Sequence, residues 1–254
     1  MIDMEEKYKI DVYCLCWNEE AIIPFVIQYW KRFARHVYVY DNGSTDKSIE
    51  LLSQYPDWIT IEHFDSESEG FDDITNLKIK NDCWKGSDAD WVVVCDFDEC
   101  LYSKNLTEFL GNLDRNDFSV IAPQWTDVWS KDFPEYDEGK LCHEITDGVV
   151  PDKRNHLHKC ILFKPGATKE MNYGAGCHFC RHVGEGKTGM LNDGIYLVHL
   201  KNLGIDYRIK RYGQLKERLS ERNKRYGFGV HYFQSDDEIR KEFEENLKKE
   251  KLKI

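Results

Sequence analysis

The sequence lacks long apolar segments and has little proline or glycine. Only 6 Pro and 17 Gly occur among 254 residues, which excludes collagen-like and low-complexity classes. No apolar run approaches the roughly 18 residues that a membrane-spanning helix requires. The start of the chain also lacks the basic-then-apolar order of a secretory signal peptide. These absences predict a soluble, cytoplasmic globular protein of one large domain or two small ones.

Positive charge is scarce before residue 201. The whole chain carries 35 Lys+Arg against 46 Asp+Glu, a formal net charge of −11. Residues 201–254 hold 15 of those cations and 10 of the acids, a net +5, whereas residues 1–200 have a net charge of −16. An acidic body repels nucleic acid at long range. We therefore predict no nucleic-acid partner, and a local anionic ligand near the basic end.

The first half of the chain alternates strand-like and helix-like segments. A helix with Asn18 as its N-cap is predicted after the first strand, because Glu19 and Glu20 then fall in its first turn. This order predicts an α/β fold with a mostly parallel central sheet flanked by helices. The predicted strands are residues 10–16, 36–40, 58–64 and 91–95, and the further helices are residues 47–54 and 72–84.

The second half is less regular and ends in charged helices. Long loops over a rigid sheet usually carry specificity, and two such loops are predicted here. The main domain is predicted to span residues 1–204, with residues 205–254 as a helical extension packed on it. The predicted strands are residues 118–124, 159–164 and 195–200, the loops are 125–157 and 165–190, and the helices are 205–226 and 236–249.

Polar clusters follow three of the predicted strands. Residues 17–19 follow the first strand, residues 41–46 the second and residues 96–99 the fourth. Ligands of parallel sheets collect at the carboxyl ends of strands. We therefore expect these three clusters to converge on one site.

Asp96 and Asp98 give the strongest indication of a site. Residues two apart in an extended strand point to the same side, so both carboxylates can face one ion while Phe97 faces the core. No Lys or Arg stands within five residues of them. A hard divalent cation, Mn²⁺ or Mg²⁺, would offset their repulsion. The alternative is an acidic loop exposed to water.

The run of residues 41–46 has two interpretations. Asp, Asn, Gly and Ser are typical of a turn that leads into a helix cap. An acid at a strand end, here Asp41, is also well placed to accept hydrogen bonds from a base or ribose. The residues alone leave both interpretations open.

The three polar clusters and their strands resemble the ordered signatures of glycosyltransferase family 2. The segments are CLCWNEE at 14–20, VYDNGSTD at 39–46 and DWVVVCDFDE at 90–99, and the last is similar to a subgroup of bacterial family-2-like transferases. The resemblance covers about residues 8–125. It implies a GT-A fold, a nucleotide-sugar donor, a divalent metal and inversion at the anomeric carbon.

The resemblance also implies roles for single residues. His199, after the apolar residues 195–198, matches a metal-binding histidine of GT-A enzymes, and Lys201 would meet a phosphate. A satisfied strand histidine is the alternative for His199. Asp98 would bind the metal, and Asp96 would bind ribose or metal. The residues placed near the base and ribose are Trp17, Asn18, Glu19 and Asp41, with Asn76 and Lys80 as further candidates.

The acceptor side is less defined by the resemblance. Asp127, after a predicted strand end, is the first candidate for the base that removes the acceptor proton, with His178 and Asp193 as reserves. The resemblance implies a glycan or lipid-linked acceptor in bacterial surface polysaccharide assembly. The basic helix of residues 205–226 is then a candidate for peripheral membrane contact, although a solvated face is the usual fate of such charges.

Two further interpretations compete with a glycosyltransferase. A nucleotidyltransferase also uses carboxylates and metal, but the Gly-rich phosphate loop typical of that class is absent near the N-terminus. A non-catalytic module stapled by structural zinc is the other rival. Its candidate ligands are Cys142, His143, His156, His158, Cys160, Cys177, Cys180 and His182.

Overall fold

The computed structural model describes residues 8–151 and 158–254. The strands are β1 (Ile10–Cys16), β2 (His36–Asp41), β3 (Ile59–His63), β4 (Trp91–Asp96), β5 (Glu99–Tyr102), β6 (Phe118–Ala122), β7 (Gln124–Ser130), β8 (Val149–Pro151), β9 (Leu162–Phe163), β10 (Thr168–Glu170), β11 (Val183–Gly184), β12 (Lys187–Met190) and β13 (Tyr196–Leu203). The helices are α1 (Ile23–Trp30), α2 (Ser48–Leu52), α3 (Asp73–Asp82), α4 (Leu106–Arg115), α5 (Ile205–Arg218), α6 (Glu221–Tyr226) and α7 (Asp236–Leu247).

A seven-stranded sheet in the order β12-β6-β9-β4-β1-β2-β3 forms the centre of the fold. Strands β3, β2, β1 and β4 are mutually parallel, and β9 runs antiparallel between β4 and β6. The predicted α/β fold with a mostly parallel sheet is therefore confirmed. None of the helices in the described ranges is long and apolar enough to span a bilayer.

Strand β4 is buried on both of its faces. Val93 and Cys95 pack into a core cluster that also contains Trp30 of α1. Val92 and Val94 belong to a second cluster on the opposite face of the sheet. Successive side chains of a strand alternate between faces, so an uninterrupted apolar run is what a sheet covered on both sides requires.

A second sheet of four strands, in the order β5-β13-β7-β8, lies beside the first. Strand β13 runs parallel to β7 and antiparallel to β5. Strand β7 falls inside the predicted loop of residues 125–157, and β10 to β12 fall inside the predicted loop of residues 165–190. Both loop predictions were wrong in these parts, because short strands with mixed polar faces carry a weak periodic signal.

The start of α1 differs from the prediction. Asn18 adopts a left-handed backbone with φ of 52°, and its side-chain oxygen accepts the backbone N–H of Thr45 at 2.7 Å. Helix α1 begins at Ile23, with Pro24 in its first turn, where a missing N–H costs little. The predicted N-cap role of Asn18 was therefore wrong.

The C-terminal helices pack against the second sheet. Helix α5 contacts β13 and helix α7 contacts β7, with the rings of Trp129 and Phe243 5.1 Å apart. The predicted helix of residues 205–226 is interrupted at Leu219, which is extended, and Ser220 then caps α6. Residues 205–254, predicted as a helical extension, therefore contain the three α-helices α5, α6 and α7.

A buried histidine gives the fold a pH dependence. The Tyr29 hydroxyl oxygen lies 2.7 Å from His143 Nδ1, and Nε2 is buried without a hydrogen-bond partner among the described residues. Burial lowers the pKa of His143 to about 4. An unfolded histidine accepts its proton near pH 6.5, so the unfolded chain binds more protons between pH 6.5 and 4. Stability therefore falls as pH drops through this window, by about 3 kcal/mol from this residue.

The His143→Gln variant is expected to lose this component. Urea unfolding at pH 7 and at pH 4.5 measures it as the difference in pH dependence between the variant and the wild type, which cancels the other titrating groups. An equal fall in unfolding free energy for both proteins would contradict the assignment.

Candidate active site

A cavity of about 720 Å³ opens at the carboxyl ends of the parallel strands. Its wall receives Trp17 and Glu19 from the segment after β1, Asn42 from the segment after β2, and Asp96 and Asp98 from the end of β4. The register pairs the last residue of β1 with the last residue of β2. The three polar clusters therefore converge, as the sequence predicted.

Asp98, His199 and Asp127, here called the acid–histidine cluster, form a hydrogen-bonded chain in this cavity. His199 Nε2 lies 3.1 Å from Asp98 Oδ2, and His199 Nδ1 lies 2.9 Å from Asp127 Oδ1. His199 is buried, with the ring of Trp125 against it at 4.8 Å. Both ring nitrogens of His199 therefore have partners, as the alternative of a satisfied strand histidine requires. Those partners are two carboxylates that line the cavity.

The charges of this cluster depend on one another. Burial alone would lower the pKa of His199, but Asp98 and Asp127 outweigh it and raise the pKa to about 10. Burial alone would likewise raise the pKa of Asp98, and His199 lowers it to about 2. In the metal-free protein, the imidazole is therefore a cation held between two carboxylates.

The cluster suits a divalent ion. Donor atoms of Asp98, Glu99 and His199 all lie within 4.8 Å of one another. Two ligands bound side by side on an octahedral ion, with bonds of about 2.1 Å, have donor atoms about 3.0 Å apart, close to the 3.1 Å between Asp98 and His199. A carboxylate with an imidazole fits Mn²⁺ better than Mg²⁺, which prefers oxygen alone.

Asp96 does not share a partner with Asp98. Lys80 Nζ lies 2.6 Å from Asp96 Oδ1 and Lys159 Nζ lies 3.0 Å from Oδ2, while Lys159 also pairs with the buried Glu99. Burial alone would raise the pKa of Asp96, but the two lysines together lower it. In this structure Asp96 is paired with Lys80 and Lys159, here called the lysine pair, and contact of both carboxylates with one ion stays a prediction.

Lys159 was missed as a site residue by the sequence analysis. It lies 63 residues after Asp96 in the chain. No local sequence pattern indicates that it belongs to the site. A lysine that begins an apolar run, followed by Cys160 and Ile161, is the one signal that the sequence offered. Its ammonium also lies 5.3 Å from the ring of Trp125.

Helix α5 turns a basic face, Arg208, Arg211 and Arg218, toward the same cavity. Arg208 Nη2 donates to Glu242 at 2.8 Å. Arg218 lies 4.3 Å from the ring centroid of Trp17. The spacing of three and seven residues places these arginines on one side of a helix, which the sequence would have revealed. These three charges are therefore not part of a solvated face.

Glu19 and Lys201 add one acid and one cation to the cavity wall. Glu19 pairs with Arg211, yet burial outweighs that arginine and raises the pKa of Glu19 to about 8. Lys201 lies 4.9 Å from the ring of Tyr212 and 5.6 Å from that of Tyr232. No carboxylate pairs with Lys201 among the described residues, so its charge is available to an anionic ligand.

The remaining predicted residues divide into two groups. Asn76, Lys80 and His178 line the cavity. Asp41 and Asp193 do not. The Asp193 carboxylate is held at the protein surface by the Tyr196 hydroxyl and its own turn, and it borders a different cavity. A catalytic role for Asp193 is therefore not supported.

Asn18 and Asp41 shape the wall instead of facing the cavity. The Asp41 carboxylate accepts the backbone N–H groups of Gly43 and Ser44, each at 3.1 Å. The Asn18 side-chain oxygen accepts a hydrogen bond from the backbone of the same turn, at Thr45. The turn interpretation of residues 41–46 therefore prevails, and direct base or ribose contacts by Asn18 and Asp41 are not supported.

The cysteine-rich loops do not assemble a zinc site in the parts of the chain that the structure covers. There, His199 with its acidic neighbours is the one group of three His, Cys, Asp or Glu ligands close enough to share an ion. Cys142 packs in one hydrophobic cluster, and Cys160 and Cys177 in another. His156 lies outside the described residues. Among the described residues, the structure therefore gives no support to the zinc-stapled module.

Distant structural similarity is found to known glycosyltransferases. TarS 1–349 from S. aureus in complex with UDP-GlcNAc has a TM-score of 0.46 and 13% identity over 92% of this chain and 71% of that chain. Without ligand, the same TarS fragment has a TM-score of 0.43 and 12% identity, over 84% of this chain and 66% of that chain. Glucosyl-3-phosphoglycerate synthase from Mycobacterium tuberculosis, with Mn²⁺ and UDP, has a TM-score of 0.33 and 16% identity over 47% of this chain and 44% of that chain.

Sequence comparison gives a family. No curated protein matches the chain. A family model, described as Glycosyltransferase family 92, matches residues 12–250. This match spans nearly all of the chain, including the whole acid–histidine cluster, the lysine pair and the basic face. The chain therefore belongs to glycosyltransferase family 92.

Proposed function

We propose that this glycosyltransferase moves a sugar from a nucleoside-diphosphate donor to a hydroxyl group of a glycan or glycolipid acceptor, in a metal-dependent reaction that inverts the anomeric carbon. The observation that carries the proposal is the convergence of Asp98 and His199, 3.1 Å apart, with Lys201, which has no carboxylate partner among the described residues, on the wall of one cavity. Ligands for a metal ion and a cation for phosphate both serve to stabilise the charge that grows on a departing diphosphate.

In the proposed reaction, an acceptor oxygen bonds to the anomeric carbon while the bond from that carbon to the diphosphate oxygen breaks. Negative charge then grows on the departing diphosphate. Lys201 stabilises that charge, and Arg211 and Arg218 are close enough to the cavity to contribute. A bound Mn²⁺ on Asp98 and His199 would supply a further fixed positive charge.

Two buried polar atoms support a nucleobase-binding region in the cavity that Trp17 lines. Among the residues that the structure describes, Asn76 Oδ1 is a buried acceptor without a partner and Arg218 Nη1 is a buried donor without a partner. Both residues line the cavity. Buried polar groups are rarely left unpaired in native proteins, and a nucleobase edge offers both a donor and an acceptor.

The acceptor side of the proposal rests on fewer contacts. His178 lines the cavity with its ring 5.9 Å from that of Trp125 and, with Asp127, is a candidate base. A lipid-linked acceptor in bacterial surface polysaccharide assembly stays a prediction. So does membrane contact through residues 205–226, whose exposed charges mix both signs. They are Lys210, Lys216, Lys224 and Arg225 beside Asp206, Glu217 and Glu221.

A thermal-shift screen of UDP, GDP, CDP and their sugars, each with and without Mn²⁺, tests the donor proposal. A ligand at 100 times its Kd stabilises the native state by about 2.7 kcal/mol, which corresponds to an increase in Tm of about 5–10 °C for a chain of this size. One nucleotide is expected to stand out, and Mn²⁺ to enlarge its effect. The Asp98→Asn variant should lose the Mn²⁺ increment alone. Equal Tm values with all three nucleotides would contradict the proposal.

A further inference from the structure

Asp127 occupies a fixed position beside His199. Strand β7 runs parallel to β13, and the register places Asp127 directly across from His199. On the opposite side, the antiparallel register of β5 places Glu99 across from the same residue. The positions of these side chains are therefore set by backbone pairing of three adjacent strands and not by a mobile loop.

The imidazole of His199 is held on three sides. Asp127 Oδ1 lies at Nδ1 and Asp98 Oδ2 at Nε2, and the Trp125 ring packs edge-to-face at an interplanar angle of 68°. The backbone N–H of Leu200 donates to the Asp98 carbonyl at 2.8 Å, which ties the Asp98 segment to the strand that carries His199.

The two ring nitrogens therefore have different tasks. A neutral imidazole can give a lone pair to a metal from one nitrogen only, and the other nitrogen then carries a proton. A carboxylate that accepts the Nδ1 proton fixes the tautomer with the Nε2 lone pair facing outward. In this protein, outward from Nε2 is toward Asp98, the other candidate ligand.

We infer that Asp127 is a positioning residue, which holds His199 with its Nε2 lone pair directed at a metal shared with Asp98. The inference rests on the metal dependence in the proposed function. It is an alternative to the catalytic-base role considered for Asp127, because Asp127 Oδ1 is directed at His199 Nδ1, 2.9 Å away. Asp127 then acts on transfer only through the metal.

The positioning role and the base role predict different kinetics. A positioning residue sets how much Mn²⁺ is bound, so its loss can be overcome with more Mn²⁺. A general base acts in the chemical step, so its loss lowers kcat at every Mn²⁺ concentration. The split between metal affinity and kcat therefore separates the two roles.

Mn²⁺ titrations followed by electron paramagnetic resonance, with and without UDP, provide a measurement that does not depend on activity. The Asp127→Ala variant is expected to raise the apparent Kd for Mn²⁺ about 10–100-fold, and Asp127→Asn to raise it less. The kcat at saturating Mn²⁺ should stay within a few-fold of the wild-type value. Asp193→Asn, a surface acid outside the cavity, is the matched control and should leave the Kd unchanged.

A double-mutant cycle with His199→Ala tests whether Asp127 acts through the histidine. In the His199→Ala background, Asp127→Ala should change the Mn²⁺ Kd no further. An unchanged Kd in Asp127→Ala with a loss of kcat would overturn this inference and leave the metal-dependent transferase intact. Absence of Mn²⁺ binding by the wild-type protein would overturn both.

Discussion

The Asp98→Ala variant is expected to transfer sugar at least about 10³-fold more slowly than the wild-type protein, a barrier increase of about 4 kcal/mol. Asp98 is the carboxylate that faces His199 at 3.1 Å and is not neutralised by the lysine pair. Its removal takes away the anionic ligand that a metal needs beside the leaving diphosphate. The initial rate of nucleoside diphosphate release, at saturating donor and Mn²⁺, measures the loss.

Two further variants identify the cause of the loss. Asp98→Asn keeps the size of the side chain and should lose nearly as much activity, because the negative charge is what binds the metal. Asp193→Ala removes an acid of the same type at the surface and should retain the wild-type rate. An Asp98→Ala protein with a near-normal rate would remove Asp98 from the proposed mechanism.

The central sheet was predictable because its strands are coded locally. The first four parallel strands begin and end within about two residues of the predicted limits, since each is a short apolar run bounded by polar turns. The resemblance to family 2 also indicated the correct enzyme class. The family that the whole-chain match shows is family 92, and the resemblance gave no sign of that distinction.

The errors have a common physical origin. Asn18 has the composition of a helix cap, but its oxygen bonds to Thr45, 27 residues away. Asp96 has no cation nearby in the sequence, but it meets Lys159 from 63 residues further along the chain. Local patterns report what the backbone prefers, whereas the partner of a polar side chain is fixed by the tertiary fold.

Helix α5 illustrates a limit of a different kind. Its basic residues were left open between a solvated face, the usual fate of charge runs, and contact with an anionic partner. Arg208 and Arg211 line the same cavity as Asp96 and Asp98. The net charge of +5 for residues 201–254 against −16 for the rest was the useful signal, since it indicated that the basic end has an acidic partner within the same molecule.

The Lys159→Met variant is expected to lose about 3–5 kcal/mol of unfolding free energy. The Lys159 side chain is 7% exposed and its partner Glu99 is 2% exposed. Methionine keeps the volume of the side chain but leaves the Glu99 carboxylate buried without its cation, and an uncompensated buried charge is costly. Lys80 still pairs with Asp96, so Glu99 is the group whose environment changes most. Urea unfolding at pH 7 measures the difference.

A second substitution identifies the cause. Lys159→Met combined with Glu99→Gln should recover most of the lost stability, because the buried negative charge is then absent. Lys164→Met is the matched control from the same segment. Lys164 pairs with Asp114 at 2.7 Å, with side-chain exposures of 27% and 36%, and a pair so exposed contributes at most about 1 kcal/mol. If Lys159→Met lowers the free energy of unfolding no more than Lys164→Met does, the ion pair of Lys159 with Glu99 does not stabilise the fold.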